Sequence, residues 1–174
     1  QQGKHYPGGN ALNQAVRFAQ MGHHTAFVGA LGADFPGDQI ISLLTSESVD
    51  VSHVHRIRGR TATNQITVDE SGERYGVGGA WKGGACEGYE LSASDWAFLE
   101  GFHVWSTHAN CPSYAEALER KRDRQTMTVD FLHLLDHDLL AKSLAVVDVA
   151  YIGGTLDMAD DLAALAQASP HGIV

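Results

Sequence analysis

The strongest constraint on the fold is a regular alternation of short apolar runs with stretches of helical periodicity. Strands are predicted over residues 25–28, 102–106, 126–131 and 147–152, and helices over 11–21, 38–47, 113–124, 137–145 and 156–168. Buried strands separated by helices are typical of a parallel sheet covered on both faces. We therefore predict an α/β fold, with a mostly parallel sheet sandwiched by helices. Residues 29–37 are predicted to be a loop.

One segment departs from this alternation. Residues 61–68 alternate polar and apolar positions, Asp69-Glu70-Ser71-Gly72 is typical of a turn, and a second extended run follows to Val77. This pattern predicts a β-hairpin that stands apart from the main sheet. The chain accordingly divides into residues 1–60, a hairpin segment 61–85 and residues 86–174, which continue the α/β part.

Composition excludes several classes of protein. With 174 residues, 44% of them hydrophobic and 19% charged, the chain is long enough for a core and unlike a disordered protein. The net charge of −9 repels phosphate backbones and anionic lipid, so we expect neither nucleic acid nor membrane as a partner. Two cysteines, Cys86 and Cys111, do not make a disulfide framework, so we expect a cytoplasmic location.

The two ends of the sequence predict a piece of a longer protein. Residues 1–7 carry no initiator methionine and no helix or strand of their own. Ile173-Val174 begin an apolar run that is typical of a buried strand, and a strand cut short leaves backbone groups without partners. A frayed terminus is the alternative interpretation.

The most informative motif is Gly8-Gly9-Asn10 directly before the first predicted helix, with Asn13 three residues further. Glycines allow a ligand to approach the backbone closely, and a helix start offers unpaired N–H groups. The amides of Asn10 and Asn13 can donate and accept hydrogen bonds together. This combination suits a ligand rich in hydroxyl groups. A simple helix entry with Asn10 as N-cap is the alternative.

A longer pattern surrounds this motif. The chain resembles the N-terminal signature of the ribokinase-like (PfkB) carbohydrate kinase family. The positions that fall at the spacing of this signature are Gly8, Gly9, Ala11, Asn13, Ala15, Gly22 and Gly32. Asp34 and Gly37 resemble the Gly-x-Asp-x-x-Gly loop of that family, and residues 61–77 resemble the hairpin of its lid. The resemblance covers essentially the whole chain. Within the family, residues 52–55 and Arg74 are similar to fructoselysine 6-kinase-type members.

This resemblance implies a ribokinase-like fold and a reaction. The reaction is transfer of the γ-phosphoryl group of ATP to a hydroxyl of a sugar or a fructosamine-type sugar-amine, assisted by Mg²⁺. Gly9 and Asn13 would contact sugar hydroxyls, together with Gly8 and Asn10, and Arg74 would reach the ligand from the hairpin. Two alternatives stay open: a non-catalytic carbohydrate-binding or regulatory domain on the same fold, and a nucleoside kinase of the same superfamily.

The sequence also departs from the family pattern. The Gly-Ala-Gly-Asp segment, whose Asp is the general base in the family, does not occur here and is expected beyond Val174. No catalytic residue is therefore assigned, and we expect the chain as given to be inactive. The Asn-x-x-Glu motif that helps to organise Mg²⁺ would begin near Gly153, where the sequence reads Gly-Gly-Thr-Leu and Asp157 is the nearest carboxylate.

Two further candidates lie at the ends of predicted strands. Ligands of α/β sheets bind outside the carboxyl ends of the strands, so His108 and Asp130 are predicted as additional substrate contacts. His133 and His137, four residues apart, lack a third ligand with fitting spacing, so no metal site is predicted there. The exposed hairpin is predicted to be an edge through which a homodimer forms.

Overall fold

The computed structural model describes residues 5–72, 74–132 and 138–168 of the chain. These residues belong to two compact units, 1–90 and 91–174. The predicted strand at Ile173-Val174 and the candidate ligands His133 and His137 lie outside the described residues. None of the described helices is long and apolar enough to cross a membrane.

The described residues of the first unit form a parallel strand pair, an antiparallel hairpin and three helices. Its elements are α1 (Asn10–Gln20), β1 (Gly29–Gly32), α2 (Phe35–Ser46), β2 (Val54–Ile57), β3 (Ile66–Val68), β4 (Arg74–Gly76) and α3 (Gly84–Glu87). Strands β1 and β2 are parallel, and β3 and β4 are antiparallel. Leu12 and Ala15 of α1 are buried together with Leu44 of α2 and Val49, which fixes the packing of α1 in this unit.

Helix α1 confirms the first predicted helix to within one residue. Its buried positions follow the helical spacing in the sequence. Beyond its last residue, the N–H of Gly22 donates to the carbonyl of Ala19 at 2.9 Å, and the N–H of His23 donates to the carbonyl of Phe18 at 3.1 Å. These two bonds form a Schellman motif, so the predicted helix stop at Gly22 is confirmed.

Two boundaries in this unit were predicted wrongly. Residues 25–28 contain no strand, only a bridge between Ala26 and Asp50, whereas β1 occupies Gly29–Gly32 inside the predicted loop. The glycines of that stretch suggested a loop, but Gly32 serves close packing, because a Cβ there would lie 2.3 Å from the Thr61 nitrogen. Helix α2 begins at Phe35 instead of residue 38, because Asp34 caps it and proline is tolerated in a first turn.

The hairpin is confirmed between residues 61 and 77. Its short strands place Ile66 opposite Gly76 and Val68 opposite Arg74, and every residue of both strands is exposed. Between the segments that enter and leave the hairpin, Thr63 and Lys82 exchange two backbone hydrogen bonds of 2.9 Å. The described turn residues 69–72 connect the strands as predicted.

In the second unit, the part of the chain that the structure describes forms a three-stranded parallel sheet in the order β5-β6-β7. Its elements are α4 (Ala93–Leu99), β5 (Val104–His108), α5 (Tyr114–Arg120), β6 (Thr126–Asp130), α6 (Leu140–Leu144), β7 (Val149–Tyr151), a 3₁₀ turn (Leu156–Met158) and α7 (Ala159–Ala168). The central strand contributes Met127 and Val129, both fully buried, to a core that also receives Tyr114 and Leu118 from α5. The predicted parallel sheet with intervening helices is therefore confirmed in this unit.

Helix α4 was not predicted, although the sequence carries its signal. The Ser92 hydroxyl accepts the N–H of Asp95 at 3.3 Å, and Asp95 Oδ2 accepts the N–H of Ser92 at 2.9 Å. This reciprocal pair is a capping box, which marks the N-terminus of a helix. It also leaves the carboxylate of Asp95 completely buried and hydrogen-bonded.

Candidate functional site

Gly9 determines the backbone at the start of α1. It is the N-cap, with φ 111° and ψ 147°, and its carbonyl accepts the N–H of Asn13 at 3.0 Å. A residue with a side chain is strained at this φ, so the position requires glycine. The alternative reading, in which Asn10 is the N-cap, is wrong, because Asn10 is the first helical residue.

The surface in front of this helix start is open. A Cβ built on Gly8 or Gly9 would meet no atom of the described chain within 4 Å. Asn10 and Asn13 are both exposed on the first turn, and no acidic residue of that described turn offsets the positive end of the helix dipole. The helix start can therefore offer backbone and amide groups to an electronegative ligand.

Asn13 also lies at the edge of a shallow surface depression along α1. The depression is lined by Asn13, Gln14, Arg17, Phe18 and Met21. Its walls are one face of a single helix. The predicted residues Gly8, Gly9, Asn10 and Asn13 are thus brought together at one end of α1.

Arg74 begins β4, where it pairs with Val68 across the hairpin. Its side chain is exposed. Its place on the hairpin is therefore established, whereas its contact with a ligand stays a prediction.

In the second unit, His108 and Asp130 are the last residues of neighbouring parallel strands. They lie directly opposite each other in the register of β5 and β6, and the N–H of Ala109 donates to the Asp130 carbonyl at 2.9 Å. One carboxylate oxygen of Asp130 accepts the N–H of Leu132 at 2.7 Å. The structure thus brings these two predicted residues together at the carboxyl edge of the sheet.

Burial determines the charge of His108. The imidazole is half-buried, and desolvation lowers its pKa below the ordinary histidine value of 6.5, while the nearby Asp130 carboxylate acts in the opposite direction. His108 is consequently neutral at neutral pH. A neutral imidazole offers one hydrogen-bond donor and one acceptor, which suits a hydroxyl group.

The same edge includes Gly153, where the Asn-x-x-Glu motif of the family pattern would begin. The N–H of Gly153 donates to the carbonyl of Leu132, and a Cβ at Gly153 would lie 3.0 Å from that oxygen. Leu132 itself has a positive φ of 56°. Asp157 follows in the 3₁₀ turn, where a hydrogen bond from the Thr155 hydroxyl lowers the pKa of its carboxyl group.

One structural centre was missed by sequence reasoning. Asp34 accepts hydrogen bonds from the N–H of Gly37 and from both the N–H and the hydroxyl of Thr61. The bond from the Thr61 hydroxyl is the main cause of a lowered pKa at Asp34. The sequence identified Asp34 and Gly37 only through a resemblance, and it gave no signal that Thr61, 27 residues further, is their partner.

Residues 1–152 match the model of a family described as pfkB family carbohydrate kinase. The chain belongs to the pfkB carbohydrate kinase family. This match includes the helix start at Gly9, the hairpin and strands β5, β6 and β7 of the second unit. The family predicted from the glycine and asparagine spacing is therefore confirmed.

Relatives of this pfkB-family chain include kinases of sugars and sugar-amines. It is 32% identical over 104 residues to fructosamine kinase FrlD of Bacillus subtilis, which covers 59% of this chain and 36% of the relative. It is 31% identical over 113 residues to fructoselysine 6-kinase of Escherichia coli, covering 65% and 41%. It is 41% identical over 69 residues to a fructokinase of Salmonella typhimurium, covering 39% and 22%. These alignments span less than half the length of each relative.

Solved structures show the fold of the pfkB-family chain. Ribokinase from Thermotoga maritima superimposes with a TM-score of 0.72 at 20% identity, covering 94% of this chain and 55% of the other. Arabidopsis thaliana ribokinase, solved in complex with ribose and ATP, gives a TM-score of 0.71 at 17% identity, covering 95% and 58%. The predicted ribokinase-like fold is confirmed.

Proposed function

We propose that this protein uses ATP to phosphorylate a hydroxyl group of a sugar or of a fructosamine-type sugar-amine. The observation that carries the proposal is the start of α1, where Gly9 holds a conformation reserved for glycine and faces open space. In a chain of the pfkB family, such an open helix start supports hydroxyl recognition. Backbone N–H groups and two asparagine amides can then hold several hydroxyls of one ligand.

The substrate class is proposed from the relatives and from the side chains at hand. Two relatives carry the names fructosamine kinase and fructoselysine 6-kinase. Asp130 can attract a substrate amine, and the neutral imidazole of His108 can accept or donate a hydrogen bond beside it. Arg74 supplies an exposed cation on the hairpin for an anionic group of the substrate. Within the second unit, His108 and Asp130 favour a sugar derivative with an amine substituent.

ATP and Mg²⁺ belong to the proposal as co-substrate and metal. Mg²⁺ keeps several of its waters and binds proteins through one or two carboxylates together with substrate phosphates. Asp157 fits such a contact, because its carboxyl group is exposed. The bound metal would supply neutralisation of the phosphate charge.

The reaction needs positioning more than covalent chemistry. A bond forms between the sugar oxygen and the γ-phosphorus, the bond from that phosphorus to the β–γ bridging oxygen breaks, and ADP leaves. The hydroxyl proton must pass to a base, which we do not assign among the described residues. Holding the acceptor hydroxyl in line with the phosphoryl group is the part we assign to the helix start at Gly9 and Asn13.

The test is an ATP-dependent phosphorylation assay on the intact protein with fructose, ribose, fructoselysine and adenosine as acceptors. We expect sugar-dependent ADP release and a phosphorylated sugar or sugar-amine detected by mass spectrometry. Preferential phosphorylation of adenosine would favour the nucleoside kinase alternative. Sugar binding detected by calorimetry without any turnover would favour a carbohydrate-binding domain. The absence of both binding and turnover would refute the proposal.

A further inference from the structure

We infer that Asp34 and Thr61 form a latch that positions the β3–β4 hairpin for sugar binding. Within this protein Asp34 and Thr61 are thus positioning residues, which act through the hairpin and do not touch the substrate. The role in sugar binding rests on the function proposed above, whereas the latch itself is a property of the first unit.

The carboxylate of Asp34 is the centre of the latch. Its Oδ1 accepts the Thr61 hydroxyl at 2.6 Å and the Gly37 N–H at 3.1 Å, and its Oδ2 accepts the Thr61 N–H at 2.9 Å. Both oxygens therefore receive donors from fixed directions. An asparagine would place an NH₂ group opposite one of these donors, so the position requires a carboxylate.

Thr61 connects three elements through one buried hydroxyl. The residue is only 3% exposed, and its hydroxyl accepts the N–H of Gly32 at 3.1 Å while it donates to Asp34. Gly32 is the last residue of β1, Asp34 caps α2, and Thr61 begins the segment that leads to the hairpin. The root of the hairpin is therefore bonded directly to the end of a strand and the start of a helix.

The backbone at Gly32 and Gly37 packs closely against neighbouring atoms, including those of Thr61. A Cβ on Gly32 would lie 2.3 Å from the Thr61 nitrogen, and a Cβ on Gly37 would lie 2.3 Å from the Gly32 carbonyl oxygen and 2.9 Å from the Thr61 hydroxyl. Real Cβ atoms do not approach other atoms this closely. The glycines of this loop are therefore needed for the contact between Asp34 and Thr61.

The segment that leaves the hairpin is hydrogen-bonded to the segment that enters it. The N–H of Ala85 donates to the carbonyl of Arg60 at 2.8 Å, and Thr63 and Lys82 exchange two backbone bonds. The strands beyond these ties are exposed on every residue. Because the hairpin has little packing of its own, its position depends on how firmly its root is held.

A cation supports the latch from outside. Arg56 donates to the Asp34 carbonyl at 3.3 Å and to Asp38 Oδ1 at 2.6 Å, and so links the cap of α2 to strand β2. The hydrogen bonds from Thr61 and Gly37, with the charge of Arg56, lower the pKa of Asp34. The carboxylate is thus ionised at neutral pH, the form in which both oxygens accept.

The test replaces Thr61 by valine, which keeps the shape of the side chain and removes the hydroxyl. Thr61→Ser restores the hydroxyl. Thr63→Val is the matched control, because Thr63 is exposed and its pairing with Lys82 uses backbone atoms. The measurements, on the intact protein, are amide hydrogen exchange over residues 66–68 and 74–76 without substrate, and the KM values for sugar and ATP.

For Thr61→Val we expect amide exchange in the hairpin to rise about tenfold or more, since a hydrogen bond to a charged group is lost. The sugar KM should rise about tenfold with an unchanged ATP KM, and Thr61→Ser should return both to wild type. Thr63→Val should behave as wild type throughout.

Two results would overturn the inference. If global stability falls while hairpin exchange does not change relative to the rest of the protein, the contact is structural and does not position the hairpin. If exchange rises but the sugar KM of an active enzyme stays constant, the hairpin has no part in sugar binding. A wild-type protein without sugar kinase activity would refute the proposed function, and hydrogen exchange would still decide whether the latch exists.

Discussion

Replacing Gly9 by alanine separates the backbone requirement at the start of α1 from its ligand contacts. The change adds one methyl group to a residue whose φ is 111°. The methyl group meets no atom of the described chain within 4 Å, so the expected effect is backbone strain and not a clash. Gly8→Ala is the matched control, because Gly8 is equally open and is not in the positive-φ region.

The magnitude follows from the conformation. A side-chain-bearing residue held in a sparsely populated φ/ψ region costs about 1–3 kcal/mol. Leu12 and Ala15 are buried together with Leu44 of α2, so a shift of the helix that relieves the strain would disturb this packing. Gly8→Ala should instead stabilise the protein by about 0.4–1 kcal/mol, because it restricts only the unfolded chain. The two variants should therefore differ in free energy of unfolding by about 1.4–4 kcal/mol.

The assay combines denaturant unfolding of the intact protein with steady-state kinetics. If a sugar packs against the two glycines, Gly8→Ala should raise the sugar KM about tenfold without loss of stability, because its methyl group occupies ligand space. Equal stability of Gly9→Ala and wild type would refute the strained conformation at Gly9. Unchanged sugar kinetics in Gly8→Ala would refute the assignment of this helix start as a sugar contact.

Three further predictions concern single side chains. Asn13→Ala should raise the sugar KM 5- to 150-fold, equivalent to about 1–3 kcal/mol, with unfolding stability unchanged or about 0.5 kcal/mol higher; lost stability with unchanged kinetics would make Asn13 structural. Arg74→Ala should raise the sugar KM without changing the melting temperature, since Arg74 is exposed; an unchanged KM would leave it a surface residue. Folding lowers the pKa of His108, so as the pH falls the unfolded chain takes up this proton before the folded chain does. The contribution of His108 to the free energy of unfolding should therefore be complete above pH 6.5 and should decrease as the pH falls towards the lower folded pKa. His108→Gln should show a smaller loss over that range in pH-dependent unfolding, and an identical profile would contradict the shift.

Local signals predicted the elements whose boundaries are determined by neighbouring residues. Helix α1 was found because apolar positions recur with helical spacing and Gly22 stops it. The capping box at Ser92 and Asp95 is a local signal of the same kind for the start of α4. The strand-end residues His108 and Asp130 were also predictable, because parallel strands bring their carboxyl ends to one edge.

Other features depend on residues far apart in sequence and could not be predicted locally. In its local sequence Gly32 is typical of a loop. Its role in close packing is apparent only from its contact with Thr61. The position of Asp34 at the cap of α2 is a local signal, but its two bonds to Thr61 span 27 residues. Whether Arg74 contacts a ligand depends on the position of the hairpin, which short-range patterns do not encode.

The division of the chain at residue 90 has a consequence for biosynthesis. Residues 1–90 form a compact unit with an apolar cluster of their own, built around Leu12, Leu44 and Val49. Ribosomes add roughly 5–20 residues per second, which leaves seconds between the release of this unit and completion of the next. The first unit can therefore bury its apolar side chains while the three parallel strands of the second unit are still being translated. Among the described residues of this unit, the apolar side chains Tyr6, Met21 and Phe35 are the most exposed and would then be open to chaperones during that interval.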